Sequence, residues 1–196
     1  MNPIVIVGSG MAGYTLAREF RKAAPETPLL IITADDAVNY AKPTLSNALV
    51  GNKLPAQIGL GDAAKMSDTL KATILAHTTV TAIDATAHTL TLNTADGSST
   101  QAYSKLILAV GASPIRLPIA GDGAADVHVV NSLIDYRQFR ENLSLKNDKR
   151  VLLIGAGLIG CEFANDLKAT GHDVTVVDLA PRPLGRLLPS DTATAF

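Results

Sequence analysis

Two stretches of the sequence share one pattern: "IVIVGSGMAG" at residues 4–13 and "VLLIGAGLIG" at residues 151–160. In each, four apolar residues precede G-x-G-x-x-G, and the two stretches align without a gap. A short apolar run is typical of a buried parallel strand. A glycine turn between such a strand and a helix is the signature of a dinucleotide-binding βαβ unit. The chain of 196 residues is therefore predicted to contain two such units.

The glycines of each turn have separate predicted tasks. Gly8 and Gly155 make the tight turn, the second glycine lets the backbone approach a pyrophosphate, and the third lets the helix meet the strand. The free N–H groups and partial positive charge of a helix N-terminus suit a diphosphate. The residues predicted to hold the two diphosphates are Gly8, Ser9, Gly10, Met11, Ala12 and Gly13 in the first turn, and Gly155, Gly157, Leu158, Ile159 and Gly160 in the second.

An acidic residue after the second strand of such a unit binds the adenosine ribose. In the second unit Asp178 lies at the expected distance from the glycines and favours NAD, because a carboxylate there would repel the 2′-phosphate of NADP. Arg182 and Arg186 follow closely and leave NADP open, since arginines at this place can bind that phosphate. In the first unit Asp35 comes slightly late and Ala34 occupies the expected ribose position, so backbone groups are a further candidate there.

The rest of the chain divides around these units. Residues 73–110 are rich in β-branched residues with a hairpin-like "ADGS", which predicts an antiparallel insert whose last strand returns to the parallel sheet. The Pro- and Gly-rich stretch at residues 111–123 is the predicted boundary. A helix with Asn131 or Ser132 as its N-cap is expected to follow.

The predicted fold class is α/β, with two Rossmann-like dinucleotide-binding units, an antiparallel β insert and a truncated second unit. The expected domains are an FAD-binding domain at residues 1–118, with the insert at about 73–105, and an incomplete NAD-binding domain at residues 119–196. We expect a helix over residues 158–170, closed by Gly171.

Composition argues against several other classes. A net charge of −1 and the absence of basic stripes with interleaved aromatic residues give no reason to expect a nucleic-acid or anionic-membrane partner. No apolar run reaches the ~18 residues that a membrane span needs, and no secretory leader is evident, which predicts a cytoplasmic protein. Cys161 is the only cysteine, and the four histidines are scattered, so no metal site is expected. Those histidines are His77, His88, His128 and His172.

Together with the two glycine turns, "ILAVGASP" (107–114) and "NYAKPTLS" (39–46) resemble the FAD-dependent pyridine nucleotide-disulfide oxidoreductase superfamily. Within it, "NYAKPTLS" and "GLIGCEFANDL" (157–167) closely resemble the family of bacterial rubredoxin reductases. The resemblance implies that the first unit holds FAD and that the second holds NADH, which delivers hydride to the flavin.

The resemblance also implies roles for individual residues. Lys42 matches a basic residue beside the isoalloxazine, and Val80 matches a position whose backbone meets the adenine. Ala109 and Gly111 match an "ATG"-type turn close to FAD, in which Val110 replaces the usual threonine. Glu162 matches a glutamate near the flavin and nicotinamide; the alternative for it is an exposed acid favoured by the helix dipole. No residue is expected to act as a catalytic acid or base.

Relatives that reduce disulfides or peroxides carry redox cysteines, and this sequence has none at those places. Electrons are therefore expected to leave the flavin for an external acceptor. By resemblance that acceptor is rubredoxin; a ferredoxin or flavorubredoxin partner, or a non-enzymatic redox-sensing module, are the alternatives. We also expect the chain to be an N-terminal fragment that binds FAD poorly and has negligible turnover alone.

Overall fold

The computed structural model describes residues 1–145 and 149–195. By their internal contacts these residues form two compact units. Unit 1 comprises Met1–Ala41 and Gly59–Ile115, and unit 2 comprises Lys42–Ile58 and Arg116–Phe196. The predicted division near residue 118 lies close to the last change of unit, whereas the assignment of residues 42–58 to unit 2 was not foreseen.

Unit 1 is built on a parallel sheet of four strands. Its strands and helices are β1 (Ile4–Val7), α1 (Met11–Ala23), β2 (Leu29–Ile32), α3 (Ala63–Leu70), β3 (Thr73–Leu75) and β7 (Lys105–Leu108). The strand order in the sheet is β3-β2-β1-β7. β1 lies between β2 and β7 and is parallel to both. The predicted α/β fold with a parallel sheet is thereby confirmed.

An antiparallel sheet of three strands completes unit 1. It consists of β4 (Thr79–Asp84), β5 (Thr89–Thr94) and β6 (Gly97–Ala102). The insert is narrower than the predicted range of about 73–105, because Thr73–Leu75 pairs in parallel with β2 instead. β6 was not predicted as a strand, and the hairpin turn at Ala95 and Asp96 leads into it.

Alternation along β1 explains how the layers of unit 1 pack. Ile6 faces a cluster that includes Tyr14 of α1 and Leu70 of α3. Val5 faces the opposite way, into a cluster with Leu90 of β5. Because successive side chains of a strand point to opposite faces, one central strand supplies both cores. The sheet is therefore covered on both faces, as its continuously apolar strands require.

Unit 2 contains a parallel pair of strands and the helices around it. The elements are α2 (Pro55–Ile58), α4 (Leu133–Leu145), β8 (Arg150–Ile154), α5 (Leu158–Ala169), β9 (Asp173–Val177) and α6 (Ser190–Ala195), with 3₁₀ helices at Lys42–Ser46 and Asp122–Asp126. α5 ends at Ala169, one residue before the predicted end, with Thr170 as its C-cap. α6 was not predicted.

The start of α4 is a capping box. The Asp135 N–H donates to Ser132 Oγ at 3.1 Å, and the Ser132 N–H donates to Asp135 Oδ2 at 2.8 Å. Such reciprocal bonds satisfy donors that a helix end leaves unpaired. Of the two N-cap candidates, Ser132 is the one whose side chain accepts the bond.

Candidate dinucleotide-binding sites

The two glycine turns have the same backbone geometry. Gly8 has φ +111° and Gly155 has φ +110°, in a region that residues with a Cβ rarely adopt. A Cβ at Gly13 would overlap the Gly8 carbonyl oxygen, and a Cβ at Gly160 would overlap the Gly155 carbonyl oxygen. Each turn therefore needs its first glycine for conformation and its third for close packing of helix on strand.

The middle glycine of each turn faces open space. Gly10 and Gly157 are the N-caps of α1 and α5, and a Cβ on either would meet no atom within 4 Å. Neither helix has an acidic residue in its first turn, so no carboxylate of that turn competes for the free N–H groups. These free N–H groups fit a diphosphate at each helix N-terminus. Among the flanking residues predicted to contact a ligand, Met11, Leu158 and Ile159 have large exposed side chains.

In the first turn, Ser9 belongs to a buried polar network. Ser9 Oγ lies 3.0 Å from both Thr33 Oγ1 and Asp35 Oδ1. Thr33 Oγ1 donates to the same Asp35 oxygen at 2.7 Å, and the Ala37 N–H does so at 3.0 Å. The Asp35 carboxylate is thus fastened to the glycine turn, while Ala34 is exposed. Their predicted ribose contacts stay predictions, and Thr33 is a member of the site that sequence analysis missed.

One of the remaining predicted FAD residues of unit 1, Val80, lines an open cavity. Val80, Val7, Leu108 and Val110 line a cavity of about 410 Å³, within the usual size range of ligand pockets. Ala109 adjoins it: its N–H donates to the Val7 carbonyl at 2.8 Å, and a Cβ at Gly8 would overlap its carbonyl oxygen.

Gly111 follows with φ +71° and open space around it. The first turn, the cavity and the 109–111 turn are therefore brought together within unit 1.

In the second unit, the carboxylate of Asp178 faces the glycine turn. Its Oδ2 accepts the Ala156 N–H and its Oδ1 accepts the Ala180 N–H, both at 2.6 Å. These backbone bonds, and more weakly the charge of Arg186, lower the pKa of the Asp178 carboxyl below its usual value. A carboxylate oxygen has two lone pairs, so each oxygen can still accept a ribose hydroxyl.

Unit 2 contains both Lys42 and Glu162, the residues for which the resemblance implied a place near the flavin. Lys42 Nζ donates to Asn131 Oδ1 at 2.7 Å. Glu162 Oε2 accepts a bond from Ser46 Oγ at 2.5 Å. Glu162 is partly buried, so the alternative of a freely exposed helix acid does not describe it.

Two residues of unit 2, Ser46 and Asp166, were not predicted from the sequence. The Asp166 carboxylate is 1% exposed and accepts the N–H groups of Leu49 and Val50 at 2.9 and 2.7 Å. A signal was present in the sequence. Asp166 directly precedes the buried Leu167 and follows the buried Phe163 by three positions, and so lies in the apolar stripe of α5.

Cys161 is a partly buried thiol whose Sγ lies 3.5 Å from the Ala156 carbonyl oxygen. Burial, and then the charge of Asp178, raise the pKa of this thiol, which makes it a poor nucleophile at neutral pH. Across residues 1–145 and 149–195, no three His, Cys, Asp or Glu side chains group in a way that could hold a metal. Nor does that part of the chain contain a helix with the length and apolar character to span a membrane.

Comparison with known proteins gives consistent results. The pyridine nucleotide-disulphide oxidoreductase family model matches residues 2–196. The rubredoxin-NAD(+) reductase of Acinetobacter baylyi is 69% identical over 196 residues, which are 100% of this chain and 50% of that protein. The nitric oxide reductase FlRd-NAD(+) reductase of Vibrio vulnificus is 36% identical over 188 residues, 96% of this chain and 48% of that protein.

Among solved structures, the NADH:rubredoxin oxidoreductase of Clostridium acetobutylicum has a TM-score of 0.79 at 24% identity, covering 98% of this chain and 48% of that one. A likeness at this identity bears on the fold alone. The chain spans about half the length of the curated relatives it matches.

Proposed function

Because this chain belongs to the pyridine nucleotide-disulphide oxidoreductase family, we propose that it carries the FAD and NADH sites of a reductase that passes electrons from NADH to rubredoxin. The observation that carries the proposal is the 69% identity of the whole chain to a rubredoxin-NAD(+) reductase. The paired glycine turns support it, because a hydride donor and a hydride acceptor need one dinucleotide site each.

Unit 1 is proposed to bind FAD. The N–H groups at the start of α1 would hold its diphosphate, and the cavity beside Val80 offers apolar walls for its adenine. Ala109 and Gly111 would border the cofactor, and Ala34 or Asp35 would lie by the ribose. When bound, FAD supplies the conversion between two-electron hydride chemistry and single-electron transfer to an iron protein.

Unit 2 is proposed to bind NADH. The N-terminus of α5 would hold the diphosphate, and Asp178 would accept both ribose hydroxyls, which favours NADH over NADPH. Glu162 would lie near the nicotinamide, and Lys42 would supply a positive charge beside the isoalloxazine. These residues bind and orient; none is assigned the removal or delivery of a proton.

A relative named for a different acceptor, FlRd, makes a second candidate function worth testing. Its identity of 36% is well below the 69% of the rubredoxin-NAD(+) reductase. We therefore place rubredoxin first and FlRd-type or ferredoxin acceptors second. The location in the cytoplasm predicted from the sequence stays a prediction.

The test uses the full-length protein with FAD bound, mixed with NADH without oxygen while flavin absorbance is followed. Rapid bleaching, followed by rapid reoxidation on addition of oxidised rubredoxin, is the expected result. Equal amounts of a ferredoxin and of a flavorubredoxin serve as acceptor controls, and faster reoxidation by either would reassign the partner. Slow bleaching that no acceptor reverses would instead identify a redox-sensing module.

The 196-residue chain alone provides a second comparison. We expect it to retain little FAD after gel filtration and to oxidise NADH negligibly, since its second parallel sheet pairs only β8 with β9 in the described residues. Full activity of this chain would contradict that expectation.

A further inference from the structure

α5 presents two carboxylates to one segment of unit 2. Glu162 and Asp166 are four residues apart, so they lie on the same face of the helix. Like charges at this spacing repel each other. The ion pairs described in the structure, Lys22–Glu19 and Lys71–Glu26, involve neither of them.

Residues 46–50 supply the donors that this acidic face needs. Asp166 accepts two successive backbone N–H groups, from Leu49 and Val50. Because this carboxylate is 1% exposed, the two bonds replace its lost hydration, and breaking either would leave a buried group unsatisfied. Asp166 therefore fixes the backbone of the segment relative to α5.

Ser46 lies in the same segment, three residues before Leu49. Its side chain is buried, and its Oγ lies 2.5 Å from Glu162 Oε2 and 3.0 Å from the Pro43 carbonyl oxygen. A distance of 2.5 Å is typical of a hydroxyl that donates to a carboxylate, and such bonds are about twice as strong as neutral ones. Both partners can only accept, and the shorter distance favours Glu162 as the acceptor of the hydroxyl proton.

We propose that Ser46, itself held in place by Asp166, is a positioning residue that orients the Glu162 carboxylate for the nicotinamide nucleotide. The inference rests on the proposed function, because that is what brings the nucleotide to α5. With Oε2 tied to a buried hydroxyl, the Glu162 side chain keeps one orientation and Oε1 can accept a bond from the ligand. The bonds of Asp166 would suffice to pack residues 46–50 against α5. Glu162 is partly exposed and lies one helical turn nearer the glycine turn, so packing does not require its bond to Ser46.

The test is a double-mutant cycle in the full-length protein with FAD bound, read by the dissociation constant of NAD+ in calorimetric titration. Ser46→Ala is expected to weaken NAD+ binding by about two- to tenfold, the usual effect of losing one hydrogen bond. In a Glu162→Gln background the same change is expected to have no further effect, because the oriented charge is already gone. Ser46→Thr, which keeps a hydroxyl, is expected to restore much of the loss.

Asp166→Asn extends the cycle. It is expected to weaken NAD+ binding by a similar factor and to add nothing to Ser46→Ala, since both act through the Ser46 hydroxyl. Two matched controls are expected to bind NAD+ like the wild type. They are Ser99→Ala, at an exposed position of β6, and Asp173→Asn, at the exposed start of β9. Thermal unfolding checks that each variant folds. If Ser46→Ala does not fold, Ser46→Cys, of similar volume but a weak donor, takes its place with the same expected result.

The possible outcomes distinguish a failure of the positioning role of Ser46 from a failure of the proposed function. A wild type that neither binds NAD+ nor is reduced by NADH would overturn the proposed function itself. A wild type that does both, with Ser46→Ala binding NAD+ equally well, would overturn only the positioning role. So would an equal loss from Ser46→Ala in the Glu162→Gln background, because that loss would be structural.

Discussion

The carboxylate of Asp178 accepts a hydrogen bond from the backbone N–H of Ala156, with 2.6 Å between Oδ2 and N. The residue that follows β9 is thereby fastened to the second glycine turn. The same bonds that lower the pKa of Asp178 keep it ionised as pH falls. Their stabilisation is present above the pKa of the unfolded chain and is lost as pH falls through the native value. The proposed ribose acceptor is thus held in place before any ligand binds.

Replacing Asp178 by asparagine tests its proposed role in binding NADH. The neutral amide loses one acceptor oxygen and the charge, so we expect NADH to bind about tenfold more weakly, as for a hydrogen bond to a charged group. The preference for NADH over NADPH should narrow, because the repulsion of a 2′-phosphate disappears. Dissociation constants for both nucleotides in the full-length protein provide the measurement. Asp173→Asn, at the exposed start of β9, is the control. An unchanged preference would remove Asp178 from the ribose site.

Replacement by alanine should have different effects at two glycines of the first turn, impairing folding at Gly13 and FAD binding at Gly10. Gly13→Ala would push a Cβ into the Gly8 carbonyl oxygen, so we expect misfolding or a loss of several kcal/mol of stability. Gly10 has φ −68° and open space around it, so Gly10→Ala should fold normally but release FAD, because its methyl group occupies the ligand's approach. Thermal unfolding and the ratio of flavin to protein absorbance distinguish the two. Normal flavin content in Gly10→Ala would argue against diphosphate binding at this turn.

These turns could be predicted from the sequence because their causes are local. A positive φ at Gly8 and the contact between Gly13 and the Gly8 carbonyl demand glycine at fixed spacing. The parallel pairing of β1 with β2 followed from apolar runs on either side of a helix. Such features need no knowledge of distant residues.

Other features arise from pairing across the fold and left little trace in the sequence. β6, "GSSTQA", has no large apolar side chain, and it becomes a strand because its backbone pairs with β5. Residues 42–58 belong to unit 2 through bonds such as Val50 to Asp166, which are 116 positions apart. The inward orientation of Asp35 depends on Ser9 and Thr33, whose hydroxyls have no periodic signature.

Arg21 is expected to be a main determinant of the stability of unit 1. Its Nε donates to the Leu70 carbonyl at 2.7 Å and its Nη2 to the Lys71 carbonyl at 3.0 Å. Its Nη1 lies 2.8–3.0 Å from three further carbonyls, those of Ala24, Pro25 and Thr27. One planar guanidinium thus caps the C-terminal ends of α1 and α3, where a positive charge is favoured.

Arg21→Lys keeps the charge but cannot reproduce this fork of donors. We expect it to lower the free energy of unfolding by about 1–3 kcal/mol, as for two or more partly exposed bonds from a charged group. Thermal unfolding gives the measurement, and Arg18→Lys, at an exposed position of α1, is the matched control. If both variants melt together with the wild type, the carbonyl contacts of Arg21 do not contribute to stability.

Tyr14 should make the stability of unit 1 depend on alkaline pH. Its buried hydroxyl donates to the Ala37 carbonyl at 2.5 Å, and burial, with a smaller effect of the charge of Asp35, raises the pKa of Tyr14 to about 12. The unfolded tyrosine ionises near pH 10. A raised native pKa means that the stabilisation is complete below the unfolded value and is lost as pH rises through the native one.

Tyr14→Phe removes the hydroxyl and keeps the ring. At pH 8 we expect the variant to be about 1 kcal/mol less stable, because a buried carbonyl loses its partner. Between pH 10 and 12 this difference in stability should shrink. In that range Tyr14 ionises in the unfolded chain but not in the native one, and this stabilises the unfolded state of the wild type alone. Urea unfolding of both proteins across this pH range measures the difference between their free energies of unfolding. Other groups titrate alike in both proteins, so their contributions cancel. A difference that stays constant to pH 12 would mean that Tyr14 is not held neutral in the native protein.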